Sequence, residues 1–303
     1  MTAFCVAVDW GTTSLRLWVL ARDGTVLSES RGPDGILSVK AGSYPDVLDR
    51  HLVTANAASG LPVIICGMAG ARQGWVEAPY ADTPADVTSL GNGAVRIDLP
   101  DRDVRIIPGV AQRDAHRPDV MRGEETQLLG LGVADARVCI PGTHSKWVSM
   151  SAGRLTGFST CMTGELYSIL TEHSILRHSS TEMDFAADNG VFLTGIEAAL
   201  RDDASLSQSL FNVRARGLVS EDDGMGAAYL SGLLIGSEIA AARAEQGSGK
   251  TVTLLASGRL AAMYENALSA AGMKAQIADA ELASRNGLLS VAREIWGDGR
   301  NAQ

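Results

Sequence analysis

Two short Gly-Thr segments hold the residues whose types and spacing are best suited to chemistry. The first comprises Gly11, Thr12, Thr13 and Ser14, and the second comprises Gly142, Thr143, His144, Ser145 and Lys146. Glycine lets backbone N–H groups approach an anion closely, and hydroxyl groups add further donors. Both segments are therefore predicted to bind phosphate, with Lys146 as a cation and His144 as a turn residue or phosphate donor.

The order of features around the two segments is the same. An apolar run, Phe4–Val8 or Val138–Ile140, precedes each segment, and a second strand, a tight polar turn and a third strand follow. Such apolar runs are typical of buried strands. The repeated order predicts a duplicated fold in which the two turns face each other and bind a polyphosphate from both sides. The alternative is two unrelated hairpins.

Asp9 stands at the end of the first strand, directly before the first turn. A carboxylate there can hold Mg²⁺ beside a phosphate loop, and Mg²⁺ neutralises phosphate charge. Asp9 is therefore predicted to be a metal ligand and a catalytic residue, with turn capping as the alternative. Arg16 is a further binding candidate that either reaches the phosphate or pairs with Asp9.

Glu124 and Glu125 follow Arg122 and Gly123 at the predicted start of a helix. Acidic residues in a first helical turn interact favourably with the helix dipole, which is the purely structural interpretation. A carboxylate here could also accept the proton of an alcohol during phosphoryl transfer. The pair is predicted to contain the catalytic base, and the sequence favours Glu124 slightly, since Gly123 gives the chain freedom to aim it.

Two further segments follow predicted strands. The glycine-rich run Gly67–Trp75 lacks the dinucleotide-binding fingerprint. It is predicted to be a substrate-binding loop that includes Met68. Either Arg72 in this loop or Arg122, farther along the chain, is expected to bind a substrate carboxylate. Ser257, Gly258 and Arg259 precede a helix, where a small residue would let a flat ring lie against the backbone. A plain helix N-cap explains Ser257 almost as well.

The composition excludes several classes of protein. The 303 residues suffice for two domains, and 46% apolar with 20% charged residues is normal for a globular enzyme. The net charge of −9, without a basic block, argues against nucleic acid or an anionic membrane as a partner. Four cysteines in or beside apolar runs, without metal-binding spacing, indicate reduced core thiols and a cytoplasmic protein.

Strands alternating with helices predict an α/β fold. Strands are expected near 4–9, 15–21, 25–30, 62–66, 104–107, 252–255 and 276–277, in addition to the three that open the second half. Helices are expected near 45–58, 124–132, 164–176, 191–200, 227–243, 259–271 and 282–296, and residues 77–99 are predicted to be loop with short strands. The predicted domains are 1–133 and 134–303, although the last helix could pack on either.

The two Gly-Thr turns resemble the phosphate motifs of the sugar kinase, Hsp70 and actin superfamily, and residues 254–259 resemble its adenosine motif without the usual pair of glycines. Within it, the chain resembles the 2-dehydro-3-deoxygalactonokinases in the segments 9–16, 67–70, 121–127, 141–147, 211–214 and 230–236. The resemblance implies two ribonuclease H-like domains with a cleft between them. It further implies transfer of phosphate from ATP, with Mg²⁺, to the C6 hydroxyl of 2-dehydro-3-deoxy-D-galactonate.

The same resemblance implies an N-terminal domain that binds the sugar acid and a C-terminal domain that binds the nucleotide. The Gly123–Glu125 segment is also similar to one in exopolyphosphatases of that superfamily, where a glutamate serves as the base. A phosphatase or polyphosphate hydrolase, a nucleotide-gated interaction protein and a kinase for the gluconate epimer are the alternatives. The sequence leaves a homodimer open.

Overall fold

The structure is a computed structural model that describes residues 1–181, 184–201, 205–219, 225–246 and 251–297. The chain divides into two compact units. The first contains Met1–Asp135, Ser149–Phe158 and the C-terminal segment from Ala280, and the second contains Ala136–Val148 and Ser159–Asp279. The last helix and residues 149–158 thus group with the first unit, whereas the sequence predicts one boundary between residues 133 and 134 and leaves the packing of the last helix open.

A six-stranded sheet forms the centre of the first unit. Its strands, in spatial order, are β3 (Val26–Gly32), β2 (Leu15–Ala21), β1 (Ala3–Trp10), β4 (Val63–Gly67), β7 (Arg102–Ile106) and β6 (Val95–Leu99). Strands β1 to β3 are antiparallel, whereas β4 pairs parallel with β1 and β7 pairs parallel with β4. The buried residues of β1 and β4 form near-continuous apolar runs, as expected for strands covered on both faces.

Four helices and a small sheet complete the first unit as described. The helices are α1 (Tyr44–Thr54), α2 (Val87–Asn92), α3 (Glu124–Gly130) and α9 (Ala280–Trp296), and the strands are β5 (Ala81–Asp82), β8 (Val110–Arg113) and β9 (Pro118–Met121). Helices α3 and α9 pack closely because both carry glycine at the contact. A Cβ on Gly287 would lie 1.9 Å from the Thr126 carbonyl oxygen, and one on Gly130 would lie 1.9 Å from that of Ala283.

The second unit repeats the order of the first. The five-stranded sheet runs β12 (Arg154–Cys161), β11 (Ser145–Ser151), β10 (Ala136–Ile140), β13 (Thr251–Leu255) and β14 (Lys274–Ala278), with β13 parallel to β10 and β14 parallel to β13. Residues 149–158, which include parts of β11 and β12, group with the first unit. The helices are α4 (Thr163–His173), α5 (Gly190–Arg201), α6 (Leu206–Val219), α7 (Gly226–Gln246) and α8 (Gly258–Ala270). Because five strands follow the same spatial order in both units, the predicted duplicated α/β topology is confirmed.

Several elements differ from the sequence-based expectation. The stretch 77–99, predicted as loop with short strands, contains helix α2, and helix α6 and strands β8 and β9 were also not predicted. The four cysteines are free thiols, as predicted, and three of them are buried. Within the described residues, no helix is long and apolar enough to cross a membrane.

Candidate active site

The first candidate site lies where two parallel strands of the first unit end. In the register of β1 and β4, Asp9 pairs with Cys66 and Trp10 pairs with Gly67. Gly67 has φ +88°, and a Cβ there would lie 2.7 Å from the Trp10 carbonyl oxygen. Only glycine fits this position without strain, so Gly67 allows β4 to turn sharply into the loop beside Asp9.

Asp9 is half-buried, and its surroundings combine opposing electrostatic effects. Burial raises the pKa of its carboxyl, whereas Arg16 and side-chain hydrogen bonds from Cys66 and Ser284 lower it, and the neighbouring charge of Glu124 raises it. Arg16 therefore pairs electrostatically with Asp9. Ser284 belongs to α9, so the last helix contributes to this site, and nothing near Asp9 in the sequence could have indicated it.

Asp9 has the chemistry of a magnesium ligand. The charge of Glu124 raises the pKa of the Asp9 carboxyl, and Mg²⁺ is usually held by one or two carboxylates together with substrate phosphates and water. In the described part of the chain, no group of three or more histidine, cysteine or acidic side chains could hold a metal alone. Oxygen atoms of substrate phosphates and of water would complete the coordination of a metal here.

The Gly11–Ser14 turn joins β1 and β2, and its geometry leaves two hydroxyl residues exposed. The Gly11 N–H donates to the Ser14 carbonyl oxygen at 2.9 Å, and Thr12 and Thr13 are exposed. A second loop supports the turn from behind, since the Ile36 N–H donates to the Gly11 carbonyl oxygen at 3.1 Å.

Gly35, in that second loop, was missed by sequence reasoning. A Cβ there would lie 2.3 Å from the Thr13 carbonyl carbon, so the loop can approach the turn only with glycine at this position. The sequence does contain a turn signal at this point, since Pro33 and Asp34 directly precede Gly35.

Glu124 and Glu125 occupy different environments at the start of α3. Glu124 is half-buried, and its Oε2 accepts a hydrogen bond from the Arg122 N–H at 3.2 Å. Glu125 is 1% exposed, and its Oε2 accepts from the Gly123 N–H at 2.6 Å. Burial and then the charge of Glu124 raise the pKa of Glu125 to about 8. Glu124 is thus the accessible carboxylate of the pair, and Glu125 is an interior group.

The two candidate arginines also differ. The Arg122 Nη2 donates to the Ala78 carbonyl oxygen at 2.8 Å, and its guanidinium lies 4.5 Å from the centre of the Tyr80 ring. A Cβ on Gly70 would lie 2.8 Å from Arg122 Nη1. Arg122 therefore packs beneath the loop, and its buried Nε and Nη1 atoms have no hydrogen-bond partner among the described residues.

Arg72, in contrast to Arg122, is exposed to solvent. Its side chain is 86% exposed and lies 3.5 Å from Glu77. Arg72 is therefore the arginine of this loop that a dissolved anion can reach, whereas Met68 is half-buried against the core of the unit. The packing of Arg122 does not favour its predicted contact with a substrate carboxylate.

The second candidate site surrounds the Gly142–Thr143 turn of the second unit. The first turn of α4 packs on it, because a Cβ on Gly164 would lie 2.6 Å from the Gly142 carbonyl oxygen, and the Glu165 N–H donates to the Thr143 carbonyl oxygen at 3.0 Å. His144 is exposed and its Nε2 forms a hydrogen bond with the Glu165 carboxylate. The N–H groups at a helix start favour an anion at such a turn.

Ser145 and Lys146 lie below this turn rather than on its surface. Ser145 is fully buried, and its hydroxyl forms a hydrogen bond of 3.0 Å with that of Tyr264. Lys146 is 4% exposed, and its Nζ donates to the His144 carbonyl oxygen at 3.1 Å. Their predicted contact with phosphate is not favoured in this arrangement, because strand alternation turns Ser145 into the core.

A cavity of about 340 Å³ opens beside this turn within the second unit. Its lining is mainly apolar and combines Gly142 with residues of α4, α7 and α8, among them Tyr167, Leu234, Arg259 and Met263. The Arg259 guanidinium lies 4.4 Å from the centre of the Phe185 ring, which also lines the cavity. A flat apolar ring with a nearby cation is the chemistry that such a cavity accommodates.

The other two residues of the predicted adenosine segment lie at the start of α8. Ser257 occupies the N-cap position, but its side chain makes no capping hydrogen bond. Gly258 has φ +59°, and a Cβ there would meet nothing within 4 Å. The simple capping role for Ser257 is therefore not what the structure shows.

Comparisons with known proteins agree on one family. A sequence profile of 2-keto-3-deoxy-galactonokinase matches residues 9–291. A probable 2-dehydro-3-deoxygalactonokinase of Rhizobium meliloti (strain 1021) is 47% identical over 299 residues, covering 97% of this chain and 98% of that protein. The 2-dehydro-3-deoxygalactonokinase of Escherichia coli (strain K12) is 34% identical over 305 residues, covering 97% and 99%.

A solved structure adds agreement in three dimensions. The crystal structure of a proposed 2-dehydro-3-deoxygalactonokinase from Sinorhizobium meliloti is 46% identical and superimposes with a TM-score of 0.91, covering 97% of this chain and 99% of that one. The profile spans most of the chain, and the relatives align over nearly their whole length. The chain therefore belongs to the 2-keto-3-deoxy-galactonokinase family.

Proposed function

We propose that this chain is an ATP-dependent kinase that phosphorylates the C6 hydroxyl of 2-dehydro-3-deoxy-D-galactonate. The observation that carries the proposal is the placement of two half-buried carboxylates, Asp9 and Glu124, in one unit with an exposed Gly-Thr turn, where the charge of Glu124 acts on Asp9. The names of the relatives supply the substrate. The local geometry supports the role that is proposed for each residue.

In the first unit, Glu124 is the proposed base. It is accessible, whereas the neighbouring Glu125 is buried and its pKa of about 8 keeps it mostly protonated at neutral pH. Glu124 accepts the C6 hydroxyl proton as the C6 oxygen bonds to the γ-phosphorus and the bond to the ADP oxygen breaks. The products are ADP and the 6-phosphate.

Asp9 has a different role in the proposal. It would hold Mg²⁺ beside the substrate phosphates, and Mg²⁺ supplies charge neutralisation of those phosphates when it is bound. The exposed Thr12 and Thr13 bind phosphate oxygens through hydroxyl and backbone donors. Arg72 binds the sugar-acid carboxylate, since its guanidinium is the exposed one in the Gly67–Trp75 loop.

In the second unit, the turn and the cavity bind the nucleotide. Gly142, Thr143 and the N-terminal N–H groups of α4 contact phosphate oxygens. The adenine ring enters the apolar cavity near Arg259 and Phe185, where stacking on a cation and apolar contacts favour a flat heterocycle. The exposed Ser257 and Gly258 lie at the start of α8, where they leave room for the ribose.

A panel assay tests this function. ATP consumption is measured with 2-dehydro-3-deoxy-D-galactonate, its gluconate epimer, related sugar acids and no acceptor, and the product is analysed for the position of the phosphate. We expect consumption to require a sugar acid, to be fastest with the galactonate compound and to give the 6-phosphate. Phosphate release without any acceptor would instead identify a phosphatase, and a preference for the gluconate epimer would reassign the substrate.

A further inference from the structure

Glu238 is a buried carboxylate that the proposed reaction does not use. It lies in α7, within the run 227–242, and is 5% exposed. Apart from Tyr229, Ser231 and Ser237, the other residues of this run are apolar or glycine. Its Oε1 accepts a hydrogen bond from Trp147 Nε1 at 2.7 Å. Its Oε2 accepts from the Tyr264 hydroxyl at 3.0 Å and from the Thr163 hydroxyl.

The partners of Glu238 come from three different elements around the nucleotide site. Trp147 belongs to β11, which directly follows the Gly142–Thr143 turn, Thr163 is the first residue of α4, and Tyr264 lies in α8. An indole N–H can only donate, and an ionised carboxylate can only accept, so this arrangement satisfies both groups. Removing such a charged acceptor from the interior would leave buried donors without partners.

Two of these partners connect Glu238 directly to the proposed binding surfaces. Thr163 and Tyr264 both line the cavity. The two residues after Thr163 touch the turn, since the Glu165 N–H donates to the Thr143 carbonyl oxygen at 3.0 Å and Gly164 packs on Gly142. The Glu238 side chain therefore holds two parts of the site in place. These are the start of α4, which contacts the Gly142–Thr143 turn, and the wall of the cavity that Tyr264 forms.

We propose that Glu238 is a positioning residue that sets ATP affinity by fixing the first turn of α4 beside the Gly142–Thr143 turn. The proposal rests on the proposed function only in taking ATP as the ligand of the second unit. It requires that Glu238 act through Thr163, because Thr163 is the partner that begins α4. Glu238 itself touches no substrate in this account.

The test measures the dissociation constant of ATP by titration calorimetry in the full-length protein, so it needs no sugar acid. The variants are Glu238→Gln, Thr163→Val and the double variant, with Ser237→Ala as the matched control. Ser237 is the adjacent residue of α7, and its hydroxyl donates to the Leu233 carbonyl oxygen at 2.8 Å rather than to Glu238. We expect the Glu238→Gln and Thr163→Val variants each to bind ATP about 10-fold more weakly, the range for one lost charged hydrogen bond.

Further readouts separate positioning from general stability. The double variant should bind ATP about as weakly as either single one, because both changes break the same contact. The KM for the sugar acid should change less than about 2-fold, the level expected for a site without shared partners. The inference would be overturned if the folded Glu238→Gln variant bound ATP as tightly as the wild type. If that variant does not fold, unchanged ATP affinity in Thr163→Val would overturn it instead.

Equal losses of affinity for ATP and for the sugar acid would also overturn it, as would fully additive effects in the double variant. Wild-type protein that binds no ATP would refute the proposed function itself. ATP binding by the wild type with no change in the variants would refute only the role of Glu238. The two failures are therefore distinguishable in one set of titrations.

Discussion

Glu125 makes the stability of the chain depend on pH in a direction that can be worked out from its surroundings. Burial, followed by the charge of Glu124, raises its pKa from 4.5 to about 8. Below pH 4.5 the carboxyl is protonated in both the folded and the unfolded chain. Between pH 4.5 and about 8 the unfolded chain has released this proton, whereas the folded chain retains it.

The free energy of unfolding therefore falls as pH rises through this window. The slope for one retained proton is 2.303RT, or about 1.4 kcal/mol per pH unit. The stability present below pH 4.5 is lost progressively until about pH 8, for a total on the order of 5 kcal/mol. That is a large fraction of the roughly 5–15 kcal/mol by which a folded protein is stable.

Glu125→Gln removes this dependence, because the amide stays neutral and its oxygen can still accept the Gly123 N–H. We expect the variant and the wild type to be about equally stable near pH 4.5. The variant should then gain about 1.4 kcal/mol per pH unit relative to the wild type up to about pH 8. Urea titrations at half-unit pH steps, followed by tryptophan fluorescence, measure the difference.

Glu124→Gln is the matched control for that experiment. It removes the second cause of the raised pKa of Glu125, so its stability should stop falling at a lower pH than that of the wild type. A difference between Glu125→Gln and wild type that stays constant from pH 5 to 8 would refute the reasoning. It would mean that Glu125 is already ionised in the folded chain.

Three other predictions concern the first unit. Asp9→Asn should lower kcat by about 10²-fold or more, since phosphate charge is less neutralised, and near wild-type turnover at saturating Mg²⁺ would exclude Asp9 from the mechanism. Arg72→Ala should raise KM for the sugar acid roughly 10-fold or more while KM for ATP changes little, and a loss confined to ATP would move Arg72 to the nucleotide site. Gly287→Ala should lower the free energy of unfolding by about 1–3 kcal/mol or more, because its Cβ would lie 1.9 Å from the Thr126 carbonyl oxygen. Urea titration measures the change, and the control variant Ser290→Ala on the same helix should leave the urea midpoint nearly unchanged.

Local signals explain the parts of the fold that the sequence predicted correctly. The strands that open both units are apolar runs ended by Gly-Thr turns, and both properties are visible within a few residues. Helix α2 was missed because it is short and contains serine, glycine and asparagine. Its start did carry a signal, since the Asp86 side chain accepts the Ser89 N–H at 2.8 Å in a capping box.

The residues of the candidate site also fall into two groups, those that the local sequence predicts and those that depend on tertiary packing. Asp9, Thr12 and Glu124 were found from neighbouring residues in the sequence, whereas the hydrogen bond from Ser284 to Asp9 depends on the packing of the last helix. Spacing alone also could not show that Glu125 is interior, because the depth of α3 is set by its glycine contacts with α9. Glu238, the one acid in the apolar run 227–242 of α7, was visible in the sequence, but its partners were not.

Transfer of a radiolabelled γ-phosphate from ATP tests the central claim most directly. It is measured for the wild type, Glu124→Gln and Glu125→Gln, with ATP affinity determined separately. The account predicts label in the 6-phosphate of 2-dehydro-3-deoxy-D-galactonate, with kcat lower by about 10²–10⁴-fold in Glu124→Gln and ATP affinity retained. Glu125→Gln should keep most of its kcat. Label found in inorganic phosphate without a sugar acid, or near wild-type transfer by Glu124→Gln, would contradict the account.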